Sequence, residues 1–191
     1  ETGTRWLLAG AGAAAVFVVV YISFMGYAGD RVTAWLHPEL DPGDTGYQIL
    51  QSLYAIGSGG LFGLGYGKSR QKYLYLPFQY NDYIFAVICE ELGLVGAMAI
   101  VALFAVTILR GYWIALNARD RFSTVLAAGL VTLIAVQTIL NLCVVTNLLP
   151  STGIALPFFS YGGTALAVNL GEMGIVLGIS RGRNRRKIQE A

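Results

Sequence analysis

An all-α polytopic membrane protein, with four transmembrane helices and one large loop between the first two, is the fold class this sequence predicts. Three observations carry that expectation. The chain is 55% hydrophobic and only 13% charged, where a soluble domain typically carries about 25% charged residues. No Asp, Glu, Lys or Arg occurs from Trp6 to Gly29, nor over the fifty positions from Phe122 to Gly171. A soluble core needs no such run, whereas about 20 apolar residues already cross the hydrocarbon of a bilayer. The 24 glycines agree, because Gly is commoner in membrane helices than in soluble ones.

The spans follow in order. Residues 6–28 form the first, and its Gly10–Ala15 stretch offers small residues for close helix packing. A signal peptide is the alternative for this run after Arg5, but Trp6–Tyr27 exceeds the usual apolar region of about 7–15 residues. Residues 83–109 form the second span, 122–149 the third with Gln137, Asn141 and Asn147 as polar interruptions, and 164–180 a short fourth containing Glu172. Backbone groups in lipid must be bonded within the segment, so these are helices rather than strands.

Orientation follows from the basic residues. With the N-terminus inside, Arg5, Arg110, Arg119, Arg121, Arg181, Arg183, Arg185, Arg186 and Lys187 are cytoplasmic, nine in all. Arg31, Lys68, Arg70 and Lys72 make four on the other side. Residues 110–121 are then a cytoplasmic loop and 181–191 a cytoplasmic tail whose basic cluster acts as a stop and anchor, with contact to anionic membrane lipids as a further reading. Residues 29–82 face outward, too many for a simple connector. Within them Ile49, Leu50, Leu53 and Tyr54 recur at helical spacing, which predicts a short interfacial helix ended by Gly57-Ser58-Gly59-Gly60. Residues 150–163 form a second outward loop with Pro150 and Pro157. Cys89 and Cys143 read as small buried hydrophobes, with a bridge between two helices as the alternative, and His37 as a solvated loop residue. The chain opens Glu1-Thr2-Gly3 without an initiator Met, as a processed chain or a piece of a longer one would.

Asp82 is the first candidate for chemistry. It opens the second span after Asn81, so one reading is a helix cap. The other is a carboxylate at the mouth of a membrane cavity, placed to take a proton. A helix N-terminus lowers its pKa and partial burial raises it. Lys68, Arg70 and Lys72 alternate, so an extended backbone puts three cations on one face, either for a pyrophosphate group or as headgroup anchors. Glu90, Glu91 and Glu172 are costly carboxylates within spans. Helical geometry lets Glu90 share a cavity with Asp82, while Glu91 points nearly opposite. No His/Cys cluster indicates a metal.

The sequence resembles the SEDS family (shape, elongation, division and sporulation). The resemblance lies in Gly46-Tyr47-Gln48, Gln51-Ser52 and Ala55–Gly63, in Asp82–Val87 with Glu90-Glu91-Leu92-Gly93, and in Leu149–Gly163. Ser69-Arg70-Gln71-Lys72 and Ile179-Ser180-Arg181 are more similar to the FtsW and SpoVE branch than to the RodA branch. The resemblance implies a ten-helix glycosyltransferase of the bacterial cytoplasmic membrane that polymerises lipid II into peptidoglycan, of which this chain looks like helices 7–10, inactive alone. It makes Asp82 the catalytic base, supported by Asn81, Glu90 and Glu91. Lys68, Arg70, Lys72, Ser160 and Thr164 are then substrate-binding. Implied partners are lipid II, a class B penicillin-binding protein and divisome or elongation proteins, with no nucleic acid. No cofactor is visible, and a role for a divalent cation at the pyrophosphate stays open.

Some positions depart from the family pattern. Pro77-Phe78-Gln79-Tyr80-Asn81-Asp82 lacks the usual Glu after Pro and the Thr before Asp, and Tyr161-Gly162-Gly163-Thr164-Ala165 keeps one hydroxyl where two serines are commoner. Glu172 stands where small or apolar residues are usual. A lipid II flippase and a non-catalytic scaffold for a transpeptidase are the alternatives to the polymerase.

Overall fold

The computed structural model describes residues 26–40, 45–69 and 81–189, with side chains described for 31–40, 46–69 and 81–182. Most of the expected first span lies outside these residues, as do Arg70 and Lys72. The helices are α1 (Gly26–Leu36), α2 (Thr45–Ser58), α3 (Ile84–Leu116), α4 (Arg121–Val145) and α5 (Gly163–Gln189), with a 3-10 turn at Pro38–Leu40. No strand occurs among the described residues. Among the described residues, three helices are long and apolar enough to cross a membrane: Ile84–Leu116, Arg121–Val145 and Gly163–Gly182.

Helix α1 runs well past residue 28, where the sequence places the start of a loop. Asp30 and Arg31 end the apolar run, but nothing there ends a helix. The stop comes at His37-Pro38, because the residue before a proline is disfavoured in helical conformation. Helix α2 ends at Ser58, at the glycines that the sequence marks as its end. Its buried stripe is Ile49, Ser52 and Ala55, which shares Ile49 with the expected face of Ile49, Leu50, Leu53 and Tyr54 but leaves Tyr54 exposed. That stripe packs on α3, and the Ser52 hydroxyl donates to the Val145 carbonyl at 2.9 Å. Helix α4 stops at Val145, earlier than the expected 149, because Asn147 adopts a left-handed φ of 58°.

Helix α3 is interrupted. Gly93 has φ 67° and ψ −170°, a conformation essentially restricted to glycine. Such a break strands backbone groups that the helix would have paired. The loop after α2 supplies their partners: Leu94 and Val95 N–H donate to the Gly60 and Leu61 carbonyls, and the Glu90 and Glu91 carbonyls accept from Leu64 and Gly65 N–H, all within 2.9–3.2 Å. The chains approach so closely that a Cβ at Gly59 would collide with the Cys89 carbonyl, and one at Gly63 with that of Glu91.

The 33 residues of α3 measure about 50 Å at 1.5 Å each, far more than the roughly 30 Å of hydrocarbon. Residues 94–116 alone suffice to span. Glu90 and Glu91, expected in the outer third of the second span, therefore sit beyond the break, on the stretch laced to the glycine loop. Beyond it, α3 and α4 pack through small residues. A Cβ at Gly111 would stand 2.5 Å from Val131 Cγ2, and Ala115 and Ala127 are buried beside it.

Candidate active site

At the Asp82 end of the bundle, three segments converge: the second half of α1, the turn before α3, and the irregular segment between α4 and α5. Each junction is a side chain bonded to a distant backbone. Arg31 Nη1 donates to the Ser151 carbonyl at 2.9 Å. Trp35 Nε1 donates to the Asn147 carbonyl at 3.0 Å. Asn141, at 1% exposure, donates from Nδ2 to both the Asp82 and the Ile154 carbonyls, each at 2.8 Å. Ser160 Oγ donates to the Asn81 carbonyl at 2.5 Å while accepting from Leu156 N–H at 2.7 Å. The apolar floor under this junction is Tyr83, Phe85, Ala86, Val145 and Leu156.

Asp82 lies on that turn, half-buried. It is not a cap: the capping position of α3 is Tyr83, and no side chain makes the capping bond. Its carboxylate faces Gly153, where a Cβ would stand 3.6 Å from Oδ2, and no described residue donates a hydrogen bond to it. Gly153 has φ 69°, so glycine serves here both the turn and the room in front of the carboxylate. Burial pushes the Asp82 carboxyl above its usual range. Of the two opposing effects that the sequence sets up, desolvation wins over the helix terminus. A half-buried carboxylate with a raised pKa that faces open room suits a proton acceptor.

The family model for cell cycle proteins of the FtsW, RodA and SpoVE type matches residues 2–185. The chain belongs to this family. It is 50% identical to stage V sporulation protein E of Bacillus subtilis over 151 residues, which cover 79% of this chain and 41% of that one. It is 44% identical to a probable peptidoglycan glycosyltransferase FtsW of Trichlorobacter lovleyi over 182 residues, 94% of this chain and 48% of the other. The chain thus spans about half the length of the curated relatives it matches. Among solved structures, a chain of a peptidoglycan synthase complex, studied for its coordination of polymerization and crosslinking, superposes with a TM-score of 0.73 at 29% identity, covering 94% of this chain and 49% of that one. A variant of the rod shape determining protein RodA of Thermus thermophilus gives 0.53 at 32% identity, over 69% and 40%. With three membrane-length apolar helices, this FtsW/RodA/SpoVE family member is an integral membrane protein.

The other residues singled out in the sequence are distributed around Asp82 unevenly. Asn81 is the immediate neighbour, and its carbonyl takes the Ser160 hydroxyl hydrogen. That commits the one proton Ser160 has to donate. Thr164, exposed, lines an open cavity of about 400 Å³ with Gln137, Ile154, Ala155, Val168 and Asn169. Ile154 connects this cavity to the Asp82 turn through Asn141. Lys68 is exposed on a tight turn closed by its N–H on the Gly65 carbonyl at 3.1 Å; Arg70 and Lys72 lie outside the described residues, so the shared face of the three does too.

The expected cavity common to Glu90 and Asp82 gives way to a different arrangement, with Glu90 Oε2 accepting from the buried Ser69 hydroxyl at 2.5 Å. Glu91 lines a separate, largely apolar groove with Tyr66, Ile84, Val87 and Phe159, and its Oε1 has no hydrogen-bond partner. Cys89 and Cys143 are free thiols. No group of three or more His, Cys, Asp or Glu side chains able to hold a metal occurs among the described residues.

Sequence reasoning passed over Arg31 and Asn141 as site residues. Arg31 counted only as one outward charge, and Asn141 only as a polar interruption. The available signal was that a polar side chain in a charge-free membrane run rarely lacks a partner.

Proposed function

We propose that this chain is the part of a peptidoglycan glycosyltransferase that carries its catalytic base, Asp82, and that the whole protein polymerises lipid II into glycan strands. The observation that carries this reading is the Asp82 carboxylate: half-buried, raised in pKa and facing Gly153, with no hydrogen-bond donor among the described residues. Relatives named probable peptidoglycan glycosyltransferase support it from a separate direction. In the reaction, the sugar 4-hydroxyl of one lipid II attacks the anomeric carbon of the growing strand. Asp82 takes the hydroxyl proton as the new C–O bond forms, the bond to the polyprenyl pyrophosphate breaks, and the α link becomes β. Lys68, with Arg70 and Lys72, stabilises the departing pyrophosphate electrostatically. Thr164 meets the substrate from the wall of its cavity, and Ser160 acts through Asn81. Among the described residues of this arrangement Asp82 is the one carboxylate, so a divalent cation held there would share it with the pyrophosphate.

The basic residues set the orientation in this reading, with the Asp82 end outside and both ends of the chain in the cytoplasm. The partner is a crosslinking transpeptidase of the class B penicillin-binding type, by analogy with the synthase complex. A flippase is the second reading, favoured by Gln137, Asn169 and Thr164 along one cavity between α4 and α5.

The deciding experiment uses Asp82→Asn in the full-length protein with purified lipid II. Polymer is expected to fall by a factor of about 100 or more, with expression and transpeptidase binding retained. Normal polymer would end the catalytic reading. Loss of flipping in sealed vesicles with polymerisation intact would favour the transporter.

A further inference from the structure

Helix α4 buries two polar side chains in its apolar length, Thr138 and Asn141. Thr138 donates to the Ile134 carbonyl of its own helix and does nothing between elements. Asn141 behaves differently. Both its bonds leave the helix, and both come from one nitrogen: Nδ2 to the Asp82 carbonyl and Nδ2 to the Ile154 carbonyl. Its Oδ1 is buried with no partner at all. A buried amide oxygen left bare is unfavourable, and a leucine would suit an apolar helix better. Such an exception calls for a reason, and the geometry supplies one. The two carbonyls belong to the turn that carries Asp82 and to the loop whose Gly153 the Asp82 carboxylate faces.

We infer that Asn141 is a positioning residue for Asp82. Its single amide nitrogen fixes the distance between the turn bearing the carboxylate and the loop in front of it, and Ser160 makes a second tie one residue away, on the Asn81 carbonyl. Neither residue touches the reacting atoms in this arrangement. Each holds backbone on opposite walls of the place where the attacking hydroxyl must sit. The inference rests on the reading of Asp82 as the base. It extends that reading to a residue in the last turn of α4, far from Asp82 in sequence.

The test is steady-state polymerisation of lipid II by the full-length protein carrying Asn141→Leu, with Asp82→Asn in parallel. Misplacement of a catalytic group by about 1 Å costs on the order of 100-fold in rate. Asn141→Leu is therefore expected to lower kcat by about that factor at nearly unchanged KM. Asn141→Gln, which keeps the donating amide, is expected to recover part of kcat. Should Asn141→Leu not fold, Ser160→Ala removes the other tie from a half-exposed carbonyl and is expected to give the same split with a smaller drop in kcat. Because both ties act on one turn, Asn141→Gln and Ser160→Ala combined should be non-additive. A folded Asn141→Leu or Ser160→Ala protein with normal kcat overturns the inference, and so does a rise in KM at constant kcat, which would mark a substrate contact. If Asp82→Asn stays active, the base reading fails. If only Asp82→Asn is inactive, the positioning inference fails by itself.

Discussion

Asp82 and Asp120 each stand at the start of a long membrane helix, and the structure treats them in opposite ways. Asp120 caps α4. Its Oδ2 accepts from Ser123 N–H at 2.9 Å and its Oδ1 from the Ser123 hydroxyl at 2.8 Å, and the Ser123 N–H is the largest reason its carboxyl lies below the usual range. Asp82 precedes α3, caps nothing, and lies above that range through burial. The contrast extends to the two ends of the bundle. Near Asp120, α3 and α4 meet through small residues, Gly111 against Val131 and Ala115 beside Ala127. Near Asp82, the chain is irregular, with positive φ at Asn147, Gly153 and Phe158, and it is held by side chains reaching distant carbonyls. One end is built from local rules. The other holds a geometry those rules would not produce, as expected where a carboxylate is kept reactive.

The largest effect that would sharpen this contrast is the loss of polymerisation in Asp82→Asn, and the same variant carries an effect of opposite sign on stability. The native state holds the Asp82 proton more tightly than the unfolded chain does, so ionising it opposes folding. Its stabilising share is present below the unfolded pKa and is lost as pH rises through the raised native value. Asp82→Asn removes an ionisation that burial disfavours. Its thermal midpoint in detergent is therefore expected above that of the wild type at neutral pH, with the difference closing at acid pH. An inactive variant that is also less stable at neutral pH would mean that Asp82 is a structural residue.

Much of this contrast was legible in the sequence, for physical reasons. Long apolar runs with few charges announce α3, α4 and α5 because hydrocarbon permits little else. Asp82 stood out because a carboxylate before an apolar run is either a cap or a reagent. What stayed hidden was contact between segments. Nothing in Gly93 alone says that its break is repaired by residues 60–65, since an isolated glycine in a helical run is usually tolerated. Nor does Asn141 announce its acceptors, which lie on two other segments. Glu90 and Asp82 seemed able to share a cavity on helical geometry, but that reasoning treats the helix as isolated and leaves out Ser69, which faces Glu90. The extent of α1 was missed because charge ends an apolar run without ending a helix.

The repaired break gives the next effect in size. Gly93→Ala puts a methyl group against Gly63 N and the Leu61 carbonyl, at a backbone conformation that L-residues avoid. The strain is on the order of 3 kcal/mol before any displacement of the glycine loop, and a lowered thermal midpoint in detergent should report it. Gly57→Ala is the matched control. Gly57 lies inside α2 with open space around its Cα, so that change should be neutral or mildly stabilising. Equal losses in both would mean that glycine content, rather than the lacing of α3 to the loop, is what matters.

Asp120→Asn should give the smallest effect, and its smallness is informative. Asparagine ranks with aspartate as a capping residue, so it keeps one acceptor for Ser123 N–H and loses the second acceptor, which takes the exposed Ser123 hydroxyl, together with the charge at the helix terminus. Asp120 has a lowered native pKa, so its stabilising share is present above the unfolded value and disappears as pH falls through the native one. The variant should melt slightly below the wild type at neutral pH and converge with it in acid, the reverse of the order at Asp82. Polymerisation should be unchanged, because no tie runs from Asp120 to the Asp82 turn. Both variants remove one carboxylate at a helix start, so a comparable loss of polymer in each would trace the defect to helix ends in general and not to a proton acceptor at one of them.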